Sequence, residues 1–272
     1  MTSTRKKLVC LTIAGLDPSG GAGVIADVRT FDAFGCFPTA AVTSVTFQNT
    51  TGVFGAVHQS GESVRSQVEA VLDDLDVTAV KTGMLPTREI IEVVADLARE
   101  RRFPIFVVDP VVRSTSGYDL IDDAALKVLV EQLFPLADII TPNIPEAERI
   151  SGVAIESIED IRDAAGVMLD MGARSVLIKG GHFLDAGTEG RKEKSSTLAV
   201  DRLFQDGEIR EFSGEYIDTT ATHGTGCTLA SAIAANMALG RDMGEAIAVS
   251  KKFVTDAIRT APMLGLGNSP IR

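Results

Sequence analysis

The run Leu8-Val9-Cys10-Leu11-Thr12-Ile13, followed by Ala14-Gly15-Leu16-Asp17-Pro18-Ser19-Gly20-Gly21-Ala22-Gly23, decides the fold. Its first six residues read as a buried strand, the next ten as a glycine-rich turn. Val24 to Phe34 then runs at helical spacing, and Gly35 closes it. Strand, glycine loop and helix is the layout of a phosphate or nucleotide cradle. The details exclude the two common versions. No Gly-Lys-Ser/Thr is present, Gly15 to Gly20 lacks the dinucleotide spacing, and no acidic residue closes a second strand nearby.

Outward from this unit, short apolar runs alternate with amphipathic segments. Ala79-Val80, Ile105 to Asp109, Asp138 to Thr141 and Ser175 to Lys179 are strand-like. Ala40 to Phe47 is rich in β-formers. Arg88 to Arg101, Asp122 to Leu133, Ile158 to Met171 and Met243 to Thr260 show helical periodicity. Such alternation implies βαβ units in a mostly parallel sheet with helices on both faces, an α/β fold. Ligands in such sheets sit beyond the carboxyl ends of the strands. No linker divides residues 1–272, which read as a single domain, and segment 185–196, with Arg191 to Lys194 between two strand-like runs, reads as an exposed hairpin tip or insertion.

A second glycine loop, Thr222-His223-Gly224-Thr225-Gly226-Cys227, runs into an alanine-rich helix. Backbone N–H groups there converge on one point, and the helix start adds partial positive charge, so the loop suits an anion such as phosphate. Plain turn chemistry is the alternative. Cys227 stands at the helix start, a position expected to lower a thiol pKa. A third glycine pair follows Lys179, in Lys179-Gly180-Gly181-His182.

Seven motifs now stand in order: Ala14 to Gly23, Gln48-Asn49-Thr50, Lys81 to Leu85, Val108 to Val111, Ile140 to Ala147, Lys179 to His182 and Thr222 to Cys227. Together they resemble the hydroxymethylpyrimidine/phosphomethylpyrimidine kinases of thiamine biosynthesis, a branch of the ribokinase-like superfamily, over residues 8 to 260. The resemblance implies a three-layer ribokinase-like fold and an ATP- and Mg²⁺-dependent kinase. The implied substrates are 4-amino-5-hydroxymethyl-2-methylpyrimidine and its monophosphate. Pyridoxal or pyridoxine kinase, on the same scaffold, is the alternative activity; a non-catalytic pyrimidine sensor is the alternative class.

The resemblance also implies roles for residues. Gly224, Thr225 and Gly226 would cradle the transferring phosphoryl group, with Cys227 as base toward the substrate hydroxyl; pocket lining is the other reading of Cys227. Gly15, Asp27, Gln48 and Met84 would contact the pyrimidine. Asp109, Lys179, Thr222 and His223 would lie near ATP phosphates. Asn143 and Glu146 would hold Mg²⁺ through water, unless Pro142 to Glu146 is only helix-entry chemistry. His58 reads as a surface residue. The chain departs from the family at Thr115, where a lysine is common, with Arg113 as the candidate replacement charge. It departs again at Ala221, and in a tail that lacks the usual Gly-x-Gly-Pro…His ending.

Composition agrees with a soluble enzyme. The 272 residues are 45% hydrophobic and 23% charged, enough for one sizeable core. A net charge of −11 argues against nucleic-acid binding. No apolar run of about 18 residues suggests a membrane span. Met1 to Lys7 lacks a signal-peptide apolar region, and Cys10, Cys36 and Cys227 have no metal spacing. The expectation is a cytoplasmic protein, and the resemblance adds a homodimer.

Overall fold

The computed structural model of the protein describes residues 7–101, 103–113, 117, 119–181 and 198–271. Thr115, Ser116, His182 and the expected insertion at 185–196 lie outside the described residues. Strand β1 (Val9–Leu16) leads through α1 (Gly23–Ala33) to β2 (Phe37–Asn49), β3 (Gly52–His58) and α2 (Gly61–Leu72). The βα alternation continues with β4 (Val77–Thr82), α3 (Arg88–Arg101), β5 (Phe106–Val108), α4 (Asp123–Leu133) and β6 (Ile139–Ile140). Then come α5 (Ile144–Ser151), α6 (Ile158–Asp170), β7 (Ser175–Ile178), the hairpin β8 (Leu198–Gln205) and β9 (Glu208–Glu215), α7 (Thr225–Ala238) and α8 (Met243–Arg259).

All these strands form one sheet, in the order β3-β2-β1-β4-β5-β6-β7-β8-β9. The pairings from β2 to β7 are parallel, while β3 at one edge and β8 and β9 at the other pair antiparallel. Strand periodicity sorts the core into two layers. Leu11, Ile13, Val80, Phe106, Val108, Ile140, Val176 and Ile178 face α2 to α6. The intervening Cys10, Ala79, Val107, Ile139 and Leu177 face α1, α7 and α8. A central sheet buried on both faces explains why its strands read as unbroken apolar runs.

The helices begin and end where their caps dictate. Helix α3 has the bounds its periodicity predicts. Helix α4 starts one residue later than expected because the Asp122 side chain accepts from the Ala125 N–H as its N-cap. Ser157 and Asp160 form a capping box at α6, and Asp242 caps α8. Sequence periodicity did not show β3, α2 or the β8–β9 hairpin. The bounds of β8 hide because Asp201 and Arg202 are buried within it, paired with Lys251 and Glu211. Strand β3 carries Gly52 and Gly55 and stays half-exposed, so no apolar alternation marks it.

This topology gathers the motifs at one edge. Asp17 follows β1, Gly83-Met84 follows β4, Asp109 follows β5, Thr141 to Asn143 follow β6 and Lys179 follows β7. All are carboxyl ends of parallel strands, the place where open α/β sheets bind ligands.

Candidate active site

Above that edge lies a cavity of about 1060 Å³. The residues read from the sequence as site residues line it, with the exception of Asp27. Gly15, Gln48 and Met84 form one end. Asp109, Asn143, Glu146, Lys179 and the loop Thr222 to Cys227 form the middle. Tyr216, Ile217 and Lys251 extend the wall beyond them.

The start of α7 has the form of an anion site. Gly224 is its N-cap at φ 83°, a left-handed conformation, and a Cβ there would collide with the Gly21 carbonyl. The two glycine loops therefore touch at a point where only glycine fits. Thr222 O accepts from Thr225 N at 3.3 Å and from Thr225 Oγ1 at 3.0 Å. Among the described residues no hydrogen bond takes the N–H of Gly226 or Cys227, leaving both free for an anion. The Lys179 ammonium stands 3.2 Å from the position of a Cβ on Gly226, so a fixed cation covers the same spot.

Lys179 is not a solvated lysine. Its Nζ donates to Asp109 Oδ1 at 2.9 Å and lies 3.9 Å from Glu146 Oε2. Burial works against its charge, but Asp109 and Glu146 outweigh it and keep the ammonium protonated. Burial likewise opposes ionisation of Asp109; Lys179 and Lys81, with the Thr141 hydroxyl, hold it below the usual carboxylate range. Thr141 Oγ1 donates to Asp109 at 2.9 Å.

Asn143 and Glu146 do form the helix-entry geometry that the sequence offered as one reading. Glu146 N donates to Asn143 Oδ1 at 2.9 Å and Asn143 N donates to Glu146 Oε2 at 2.8 Å, a capping box at α5. Both side chains nonetheless line the cavity. Burial, helped by the Asp109 charge, pushes the Glu146 carboxyl up to about 7 although Lys179 and the two backbone donors oppose it.

Asp17 ties the loops together. Its carboxylate accepts from Ser19 N and Oγ, from Gly21 N and Ala22 N, and from His223 Nε2 at 2.7 Å. Gln48 contributes a further side-chain hydrogen bond. Against the effect of burial these donors hold Asp17 far below the usual carboxylate range, so His223 carries its proton on Nε2. The tail straps the same loop: His223 N donates to Ser269 O and Asn268 N to Thr50 O. Arg113 pairs with Asp119 at 2.9 Å on the cavity rim, Ala221 is buried, and the exposed His58 meets Ser44 Oγ through Nδ1.

Two expectations are corrected. Asp27 does not reach the cavity. It has no solvent contact and lies beneath the floor, accepting from Lys81 Nζ at 2.9 and 3.0 Å, Thr12 Oγ1 at 2.6 Å and Ser231 Oγ at 2.6 Å. Helical spacing, four residues after Gly23, left Asp27 free to face either the loop or the solvent; the packing of α7 and β4 against α1 seals it from both. The Cys227 thiol is not lowered by its helix start. Burial pushes it up to about 11, and the attraction of Lys81 does not overcome burial joined by the Asp27 and Asp109 charges. Cys227 keeps some exposed area on the cavity floor; the protein packed around and under it sets the penalty. Sequence reading also passed over Lys81 as the buried partner of Asp27. A lysine closing the apolar run Val77 to Val80 was the available signal, since such a charge is buried only when paired.

Glu146 carries a stability consequence. Its folded-state value of about 7 lies above the ordinary 4.5, so the folded protein binds this proton more tightly. The associated stabilisation is present at acid pH and is lost as pH rises from 4.5 towards 7. Glu146→Gln, which removes the buried charge and keeps an acceptor, should raise the melting temperature by several degrees at pH 8 and by less at pH 5. Thermal unfolding followed by circular dichroism at both pH values checks this, and a lower melting temperature at pH 8 refutes it.

Comparison with known proteins follows the same lines. A family model described as phosphomethylpyrimidine kinase matches residues 17–272. The chain is 41% identical over 261 residues to a hydroxymethylpyrimidine/phosphomethylpyrimidine kinase of Haemophilus influenzae, covering 96% of this chain and 94% of that one. It is 45% identical to a thiamine biosynthesis bifunctional protein of Geobacter sulfurreducens, of which it spans 51%, with 96% of this chain covered. A solved phosphomethylpyrimidine kinase from Clostridium difficile superposes with a TM-score of 0.78 at 39% identity, over 93% of this chain and all of that one. A Bacillus subtilis pyridoxal kinase solved as an ADP complex superposes at 0.85 with 34% identity, over 98% and 97%. The fold, a sheet between two helical layers, is thus shared with ribokinase-like kinases, and the chain belongs to the phosphomethylpyrimidine kinase family.

Proposed function

We propose that this protein transfers the terminal phosphoryl group of ATP to 4-amino-5-hydroxymethyl-2-methylpyrimidine and to its monophosphate, in thiamine biosynthesis. One observation carries the reading. The free N–H groups at the start of α7, the Lys179 ammonium and the Cys227 thiol converge on the cavity that Gly15, Gln48 and Met84 close at one end. Phosphoryl transfer needs positioning and charge neutralisation more than covalent help from the protein.

In this reading the pyrimidine lies between Gly15, Gln48 and Met84, whose sulfur sits close over Gly15. Gln48, on the side of the cavity near Asp17, offers a carbonyl and N–H donors for the amine and ring-nitrogen edge of an aminopyrimidine. The Gly226 and Cys227 amides and Lys179 receive the transferring group as its negative charge spreads. The substrate hydroxyl oxygen bonds to phosphorus, the bond to the bridging oxygen of ADP breaks, and the hydroxyl proton passes to Cys227 Sγ in its thiolate form, giving the thiol. His223 and Thr222 hold the loop in place rather than react.

The donor set suits Mg²⁺. Asn143 and Glu146 offer hard oxygen atoms, and a buried carboxyl at about 7 beside Asp109 is an environment short of positive charge. Among the described residues no group of three His, Cys, Asp or Glu could cage an ion, so the protein would share it with ATP phosphates, as Mg²⁺ sites commonly do. Bound there, the ion would neutralise phosphate charge.

We assign a homodimer and a cytoplasmic setting to the same reading. Phe47, Phe54 and Val57 are exposed together on the β2–β3 ribbon, an apolar patch of the sort that marks a protein contact. Cys10, Cys36 and Cys227 are all free thiols, which suits a reducing compartment. Sedimentation should show a dimer for the wild type and a monomer for Phe54→Asp; a monomeric wild type removes the assignment.

A coupled ATP-consumption assay decides the substrate. An unpaired buried polar group costs about 1–3 kcal/mol, so pyridoxal, which cannot match both groups of Gln48, should be at least about tenfold poorer in kcat/KM. Gln48→Leu should erode that preference by damaging the pyrimidine reaction. Equal or better turnover of pyridoxal by the wild type overturns the substrate while the kinase assignment stands.

The proton acceptor has its own test. With the thiol at about 11, the free enzyme carries thiolate at pH 7 in only about one molecule in ten thousand. If thiolate is the active form, kcat/KM should climb steadily between pH 7 and 10, and Cys227→Ala should lower kcat by about a hundredfold or more. An alanine variant of near-normal turnover leaves Cys227 as pocket lining.

A further inference from the structure

Beneath the cavity floor lies a polar cluster that the reaction described above does not use. Lys81 and Asp27 have no solvent contact, and four elements meet at them: Thr12 from β1, Asp27 from α1, Lys81 from β4 and Ser231 from α7. The Lys81 Nζ–Asp27 distances of 2.9 and 3.0 Å describe an ammonium gripped by both carboxylate oxygens. A buried pair of this type carries a large desolvation cost, and an apolar pair of similar volume is often as stable or more so. Fold stability alone is therefore a weak reason for charges at this spot.

The helix register supplies a better one. Ser231 lies one turn after Cys227 on α7, and Asp27 lies one turn after Gly23 on α1, so each helix presents both residues on a single face. Those faces meet one turn below the thiol, where Ser231 Oγ donates to Asp27 Oδ1 at 2.6 Å. Lys81 enters from β4 at the same level, 3.0 Å from where a Cβ on Gly83 would stand. The cluster is the storey directly under the thiol.

We propose that Lys81 is a positioning residue for the proton acceptor: its ammonium, kept charged and aimed by Asp27, is the fixed positive charge that makes the Cys227 thiolate accessible. The charges facing Cys227 are Lys81 from β4, Asp27 from α1, Asp109 after β5 and Lys179 after β7. Among them the attraction of Lys81 is the largest single influence after burial, and Asp27 and Asp109 act in the opposite sense. Lys81 itself remains protonated. Burial works against its charge, and Asp27 first, then Cys227 and Asp109, more than restore it. The sign follows: removing Lys81 alone, or Lys81 together with Asp27, leaves the thiol harder to ionise.

The inference rests on Cys227 as proton acceptor, yet its test does not require the kinase reaction. The rate of iodoacetamide alkylation at Cys227, read peptide by peptide by mass spectrometry across pH 7 to 10.5, reports thiolate directly and separates it from the buried Cys10 and Cys36. Lys81→Met is the direct variant. Lys81→Met with Asp27→Asn, which leaves no lone buried charge, is the variant expected to keep its fold. In Lys81→Met, alkylation at a fixed pH should fall about tenfold, the scale of one neighbouring charge, and it should fall by less in the double variant, where the opposing Asp27 charge is removed as well. Its kcat for pyrimidine phosphorylation should fall with KM little changed. A wild-type alkylation profile in the folded double variant overturns the proposal, because a merely structural pair would leave the thiol untouched. If instead Cys227→Ala retains turnover while the profile shifts as expected, the proton-acceptor reading fails and the electrostatic link between Lys81 and Cys227 stands.

Discussion

The contact on which this architecture turns is the ion pair of Lys81 and Asp27, buried where β1, β4, α1 and α7 converge. Four hydrogen bonds satisfy the Asp27 carboxylate. Lys81 of β4 and Ser231 of α7 both donate to Asp27 of α1, so the pair joins both helices to the sheet one turn below Cys227. Removing one partner would leave a bare buried charge, a change of about 3–5 kcal/mol in comparable pairs. The same geometry that places the thiol thus depends on two charges out of reach of any ligand.

Above this level Asp17 performs the lateral fastening. One carboxylate joins the first glycine loop to His223 of the second and to Gln48 on β2. The two glycine loops are therefore fastened to each other through one carboxylate. The close approach of Gly21 to Gly224 explains why glycine stands at both positions, since any side chain there would push the loops apart. Lys179, Asp109 and Glu146 form a third group, with one ammonium between two carboxylates. That imbalance suits a site completed by a cationic partner and by phosphates.

Much of this was legible in the residues. The helix bounds of α3, α4, α6 and α8 followed from periodicity and capping residues to within a residue. The parallel sheet followed from the alternation of apolar runs and amphipathic segments. The cavity-lining loops were legible because glycine clusters after strands have few other uses. Strand β3 was not legible, and β8 was legible only as a strand-like run after segment 185–196, without bounds or partner. Their side chains answer to partners far along the chain: Phe47 beside Gly55, and Lys251 of α8 beside Asp201. Period-2 patterning fades where both faces of a strand meet mixed neighbours.

The sequence by itself determined the α/β class, the order of the motifs and their place at the carboxyl ends of strands, because local spacing and turn chemistry carry that information. Only the tertiary structure decided the protonation of Cys227 and the place of Asp27. The helix start argued for an easily ionised thiol, and burial with two nearby carboxylates reversed the sign. Asp27 read as a residue able to face the ligand, and the packing of α7 sealed it beneath the floor. Both outcomes depend on desolvation and on charges brought together from distant parts of the chain. Those quantities exist only once the sheet and its two helical layers have closed.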